Sequence, residues 1–87
     1  MPLDYKSATI SVTTAGTVVD PNFDIDYFSV SSESGDFLFR LKDESGWGDW
    51  VSVAAGIAFE DTFKANQIEM KAATGTVSVD YYLKGNR

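Results

Sequence analysis

Residues 67–83, QIEMKAATGTVSVDYYL, decide the fold that we predict, because they contain the two clearest strand patterns of the chain. Apolar side chains occupy every second position of 68–72 and again of 77–83. Such alternation is typical of a β-strand with one face against a core. A tight loop at Thr74-Gly75 would pair the two strands and keep both apolar sets on one side of a sheet. We therefore predict a β-hairpin here.

Other segments with alternating or β-branched residues precede this stretch and are separated by Gly, Pro and Asn. Residues 60–73 also contain good helix formers, but we favour a loop followed by a strand from Gln67, since its alternation matches that of 77–83. About seven short strands predict an all-β fold, a single antiparallel β-sandwich or jelly roll. The predicted strands are 7–14, 23–31, 36–42, 49–53, 67–72 and 76–83, with short extended pieces at 17–20 and 57–59, a short arm at 1–6 and a loose tail at 84–87.

Three of the predicted strands contain two adjacent large apolar residues, namely Tyr27-Phe28, Phe37-Leu38 and Tyr81-Tyr82. Neighbouring residues of a strand point to opposite faces, so one member of each pair leaves the core. In residues 23–31 the apolar set changes face at Tyr27-Phe28, which a β-bulge or apolar contact on both sides would explain. An outer apolar patch on a small domain is typical of an interface. We assign Phe28, Leu38 and Tyr82 to such a patch.

The composition restricts the possible functions. The 87 residues have a formal net charge of −6 and contain neither histidine nor cysteine. The negative charge argues against nucleic acid and against an anionic membrane as partners. Disulfides are excluded, and a domain of this size often gains stability by forming oligomers instead. Residues 1–7 show no signal-peptide pattern, so we expect synthesis in the cytoplasm.

The acidic and aromatic residues are the candidates for a functional site. Asp43 and Asp49 flank a glycine-rich loop, but paired carboxylates need a substrate cleft, and no histidine is present to activate a serine. We predict no catalytic residue, no metal and no cofactor. Trp47 and Trp50 are the best ligand-binding candidates, since tryptophan stacks on sugar rings and anchors protein contacts. Burial at the end of the sandwich is the alternative for Trp47 and the favoured interpretation for Trp50, whose segment is predicted to be a strand.

Two stretches of the sequence resemble a known class of proteins. FKANQIEMKAATGTVSVDYYLKG, together with the pattern FLFRLKD, GWGDWVSV and GIAF, is similar to small structural proteins of tailed-bacteriophage virions, such as head-decoration, fibre-base and tail-ring proteins. The resemblance implies a non-enzymatic β-sandwich in the virion that forms a homo-oligomer on the capsid or tail and contacts other virion proteins. Its interface would include Phe28, Leu38, Tyr82 and Trp47. The alternative is a small carbohydrate-binding module that uses Trp47 and Trp50.

Overall fold

The chain folds into β-strands joined by short turns. A computed structural model describes residues 3–86, which form nine strands and no helix. This confirms the predicted all-β fold and shows two more strands than expected. The strands are β1 (Leu3–Thr13), β2 (Thr17–Val19), β3 (Asp24–Ser31), β4 (Phe37–Asp43), β5 (Gly46–Trp47), β6 (Val51–Val53), β7 (Ala58–Ala65), β8 (Gln67–Ala72) and β9 (Thr76–Asn86).

The strands form two sheets that pack face to face. One sheet has four strands in the order β1-β9-β3-β7, and the other has five, with the order β2-β8-β4-β5 and β6 paired to β4. Every pairing is antiparallel. We call them the four-stranded and the five-stranded sheet. The architecture is therefore an antiparallel sandwich.

The core between the sheets is made of the apolar residues that the alternation selects. Burial of one large apolar side chain contributes about 1.5–3 kcal/mol, so this layer supplies most of the stability. Phe37 and Phe39 face inward, as predicted, and are 0% and 2% exposed. The side chains with no exposure at all are Val12, Ile25, Val30, Phe37, Ile68, Met70, Val79 and Leu83.

The predicted hairpin at 67–83 is wrong, although both of its strands exist. β8 pairs with β4 and β2, whereas β9 pairs with β1 and β3. The turn at 73–75, with Gly75 at φ 62°, therefore takes the chain from one sheet to the other. Two strands that face each other across a core show the same alternation as two strands that pair side by side. The pattern thus locates the strands but does not choose between these arrangements.

The outward direction predicted for Phe28 is also wrong. The register of β3 shifts between Ile25 and Tyr27, slightly before the predicted bulge position. The extra residue reverses the phase, so Ile25 and Phe28 both enter the core, at 0% and 2% exposure. Tyr27 points outward in place of Phe28. Gly85 pairs with Ile25, and a Cβ atom added to it would lie 1.6 Å from the Asp24 carbonyl oxygen, so the chains approach too closely there for any side chain.

The predicted arm and tail belong to the sheet. β1 starts at Leu3 and pairs with β9 as far as Asn86, so residues 3–6 and 84–86 are strand. Residues 1, 2 and 87 lie outside the described part of the chain. The strand predicted from Gln67 is confirmed and no helix forms at 60–73, but the loop expected before Gln67 is largely strand β7.

Candidate functional site

The sandwich is open along the β7 edge of the four-stranded sheet. β7 has eight residues, whereas β5 and β6, which lie opposite it, have two and three. The short strands leave a cleft of about 450 Å³ between the two sheets. We call it the edge cleft. Its floor is the aromatic group of Phe28, Phe39 and Phe59, whose ring centroids are 5.2–5.9 Å apart.

The walls of the edge cleft combine apolar side chains with carboxylates. Phe63 and Val51 line it and are 45% and 37% exposed. Asp43, Asp49 and Asp61 line it as well. Arg40 lines it too, so the cleft suits an apolar group and presents charges of both signs. Among residues 3–86, no group of three or more acidic side chains is arranged to hold a metal ion.

A row of tyrosines crosses the outer face of the four-stranded sheet. The ring centroids of Tyr5 and Tyr82 are 6.2 Å apart, and those of Tyr82 and Tyr27 are 6.0 Å apart. Tyr5 is 72% exposed. The three residues belong to the neighbouring strands β1, β9 and β3. We call them the tyrosine row.

Polar groups surround the end of the tyrosine row at Tyr27. Its hydroxyl donates a hydrogen bond to Glu60 Oε2, and the Lys84 ammonium lies 5.6 Å from the ring centroid. The hydrogen bond to Glu60, more than burial, raises the pKa of Tyr27. Tyr27 therefore keeps its proton at neutral pH and stays neutral beside the carboxylate.

A second aromatic group lies on the outer face of the five-stranded sheet. The guanidinium carbon of Arg40 is 4.8 Å from the ring centroid of Trp47 and 4.5 Å from that of Trp50. The Lys71 ammonium is 4.1 Å from the Trp50 centroid, and Arg40 Nη2 lies 2.6 Å from Glu69 Oε1. Cations at these distances are attracted by the indole rings. Arg40 thus joins both tryptophans into one tryptophan–arginine cluster.

The structure separates the residues predicted to form one patch. Leu38 is half-buried on the outer face of the five-stranded sheet, opposite Lys71 and Ser52 in register. Tyr82 is half-buried on the outer face of the four-stranded sheet, and Phe28 is in the core. Leu38 and Tyr82 therefore point outward, as predicted, but from opposite sides of the sandwich. The prediction of a single patch is wrong, because alternation gives the face of a strand and not the sheet that it joins.

The sequence interpretation missed the other members of these groups. Tyr5 falls in the predicted arm, although it continues β1 and shares a face with Ser7 and Thr9. Phe59 and Phe63 lie four residues apart, a spacing that fits one face of a helix as well as one face of a strand. Trp47 and Trp50, which were predicted, are half-buried and come together through Arg40.

No protein family model and no curated protein sequence matches the chain. The fold is similar to that of a protein of the Bacillus endospore appendages, described as a family of disulfide-linked pili, with a TM-score of 0.64 and 11% identity over 98% of this chain and 87% of that one. It is also similar to hydroxypropylphosphonic acid epoxidase from S. wedmorenis, solved in complex with fosfomycin, with a TM-score of 0.62 and 10% identity over 88% of this chain.

The two likenesses differ in extent. The chain spans less than half of that epoxidase chain, 42%, and nearly all of the pilus protein. At these identities the comparisons show a shared sandwich fold and nothing more. No helix in residues 3–86 is long and apolar enough to cross a membrane.

Proposed function

We propose that this chain is a non-enzymatic structural subunit of a phage virion, which assembles with further copies of itself on the capsid or tail. The observation that supports the proposal most directly is the tyrosine row. Its three rings lie on a face that the core does not use. Tyrosine is enriched at protein interfaces, where it combines a large apolar surface with a hydroxyl that bonds at the rim.

The surroundings of the tyrosine row favour close approach of a partner. Ser7 and Ser29 flank Tyr82 in register on the two neighbouring strands. These side chains are small and uncharged, so the rings stand above them. A second subunit would bury the rings at a gain of up to about 1.5–3 kcal/mol per large side chain, with Lys84 as the charged group that lies between Tyr5 and Tyr27 in register.

The likeness to the pilus protein is consistent with this proposal, since it covers both chains almost completely. That protein is described as forming disulfide-linked pili. The present chain has no cysteine, so its assembly would use non-covalent contacts. The epoxidase supports no enzymatic proposal. Its structures were described with Fe(II) and Co(II), and this chain has no histidine or cysteine to hold such ions.

The test is the mass of the protein in solution, measured by light scattering and sedimentation over a wide range of concentration. We expect species well above the monomer mass of 9.5 kDa. Tyr82→Ser combined with Tyr5→Ser should weaken association at least about tenfold, equivalent to about 1.4 kcal/mol. Val18→Ser is the matched control, because Val18 is 48% exposed on the other sheet. A wild-type protein that remains a monomer at millimolar concentration would contradict the proposal.

The virion location has its own test. Capsid or tail genes next to the gene for this chain are expected, and purified particles should contain the protein by mass spectrometry. Neighbouring genes of unrelated metabolism would argue against the location while leaving self-assembly intact.

Carbohydrate binding through Trp47 and Trp50 remains a separate prediction that the geometry does not favour. Sugar stacking needs an open indole face, and the Arg40 and Lys71 cations lie within 4.5 Å of the Trp50 centroid. A glycan array compared between the wild type and Trp47→Ala would test it.

A further inference from the structure

The four-stranded sheet has two long edge strands. Within residues 3–86, β1 pairs only with β9, and β7 pairs only with β3. These edges have eleven and eight residues. An edge strand presents a row of unpaired backbone N–H and C=O groups, which is a template for another strand. Each copy of the chain thus has two such templates, at the two opposite edges of the four-stranded sheet.

The directions of the two edge strands are compatible with each other. All three pairings in this sheet are antiparallel, so β1 and β7 run in opposite directions. If a second copy is translated within the plane of the sheet, perpendicular to the strands and without rotation, its β1 lies antiparallel beside β7 of the first copy. The sheet then continues across both copies with its alternation of direction unbroken. Such a contact is head-to-tail and repeats to give a ring or a filament.

The side chains of the two edge strands are complementary in charge. This is seen when a row of residues paired across the four strands is extended by one strand into a second copy. Lys6 pairs with Leu83, Leu83 with Phe28, and Phe28 with Asp61. Continuing this row by one strand puts Lys6 of the second copy opposite Asp61. Opposite charges that face each other across two strands stabilise their pairing. Pairing two β7 edges around Asp61 would instead place two carboxylates opposite each other.

The neighbouring row brings the edge cleft into the contact. Ala8 pairs with Tyr81, Tyr81 with Val30, and Val30 with Phe59. Ala8 lies on the inner face of β1 and is nevertheless exposed. Phe59 lines the edge cleft. In the continued sheet, Ala8 of the second copy lies opposite Phe59 and extends the apolar wall of the cleft.

We propose that β1 of one copy adds antiparallel to β7 of the next, with Lys6 opposite Asp61, so that one sheet runs through successive subunits. The inference depends on the proposed self-assembly and adds a second contact, at the edge strands, to the burial of the tyrosine row. The tyrosine rows of successive copies then lie on one continuous outer face.

Disulfide trapping tests the contact directly, because the chain has no cysteine of its own. The proposed register places Ser7 of one copy opposite Glu60 of the next. Within one molecule, these residues lie three strands apart, or about 14 Å at a strand spacing of about 4.8 Å. A disulfide needs Cα atoms within about 7 Å. The double variant Ser7→Cys/Glu60→Cys can therefore cross-link only between copies.

We expect this double variant, after mild oxidation with diamide, to give a ladder of dimers, trimers and larger species on a non-reducing gel. The control is Thr9→Cys/Glu60→Cys, which is offset by two residues in the proposed register and should cross-link at least about tenfold more slowly. Equal or slower cross-linking of the Ser7 pair, in a wild-type protein that assembles, would overturn this inference and leave the proposed function standing. A wild-type protein that never assembles would remove both.

Charge reversal is the second test. Lys6→Glu places a carboxylate opposite Asp61 and should weaken association at least about tenfold. Lys6→Glu/Asp61→Lys restores opposite charges in reversed order and should recover most of the loss. A double variant that associates no better than the single one would overturn the proposed register.

Discussion

The two sides of the sandwich differ in how completely the core is covered. On the β1 side, strands β1 and β9 contact β8 of the opposite sheet, and Val12, Val79, Ile68 and Met70 all have zero exposure. On the β7 side, Phe63 points inward and is nevertheless 45% exposed. The strands of both sides are rich in apolar residues. The difference arises from the length of the opposing strands, since β5 and β6 are too short to cover β7. How completely the apolar residues of one strand are buried therefore depends on the length of the strands that lie over it as much as on its own sequence.

The strongest test of this comparison is to remove one fully enclosed phenylalanine and one that lines the edge cleft. Phe37→Ala should lower the free energy of unfolding by about 3–5 kcal/mol, because the ring is fully enclosed and leaves a cavity. Phe63→Ala should cost less than about 1 kcal/mol in the monomer, since nearly half of the side chain is already in water. Urea unfolding with an unchanged m-value measures both. Equal losses would show that the edge cleft is closed in solution.

The next effect concerns the bulge that turns Phe28 into the core. Gly85→Ala should cost about 1–3 kcal/mol, because its Cβ would overlap the Asp24 carbonyl and push β9 away from β3. Gly48→Ala is the control, since a Cβ there meets its nearest atom, the Leu41 carbonyl oxygen, at an ordinary 3.5 Å. Thermal unfolding of both variants is the measurement. A Gly85 variant as stable as the control would mean that the two strands separate there without cost.

The fold class was predictable because the alternation is strong in β4 and β8. Phe37, Phe39, Ile68 and Met70 were all assigned to the core from period two alone, and all are buried. The pairing of β8 was not predictable, because facing strands and paired strands share one pattern. The direction of Phe28 depended on the position of a single extra residue. If the bulge lay one or two residues away, Tyr27 would face the core and Phe28 would point outward.

The candidate site was predictable only in part. Tyr82 and Leu38 were correctly directed outward, since each follows a buried residue of a regular strand. Their separation onto two sheets follows from topology, which no local pattern contains. The edge cleft was not foreseeable at all, because it results from the shortness of β5 and β6 and not from any motif.

A smaller effect is expected from the ion pair of the tryptophan–arginine cluster. Arg40 and Glu69 have side chains that are 29% and 14% exposed. Because both side chains are mostly covered, Glu69→Gln, which removes the charge and keeps an acceptor for Arg40, should lower the free energy of unfolding by about 1–1.5 kcal/mol. A double-mutant cycle with Arg40→Met measures the coupling, and tryptophan fluorescence reports any rearrangement of Trp47 and Trp50. A coupling near zero would show that the two tryptophans, and not Glu69, hold Arg40 in place.

The smallest expected effect concerns the β1 side of the sandwich. There Asp20, which follows β2, is hydrogen-bonded to Gln67 at the start of β8. Asp20 accepts hydrogen bonds from Gln67 Nε2 at 2.9 Å and from the Asn22 backbone N–H at 3.0 Å. The Gln67 bond, and then the Asn22 bond, lowers the pKa of Asp20 below its ordinary value. Gln67→Ala should raise this pKa part of the way back, which NMR of the side-chain carboxyl carbon would measure.

The sign of the pH effect follows from the direction of the shift. A lowered pKa in the folded state means that the ionised carboxylate stabilises the fold above its ordinary pKa, and that this stabilisation is lost as the pH falls through the lowered value. The wild type should therefore lose its advantage over Gln67→Ala in that acidic range. The change should be small, because Asp20 is fully exposed. In an Asp20→Asn background, the effect of Gln67→Ala should not vary with pH over the same range. A pH dependence that persists there would assign it to another carboxylate and would remove Asp20 from the link between β2 and β8.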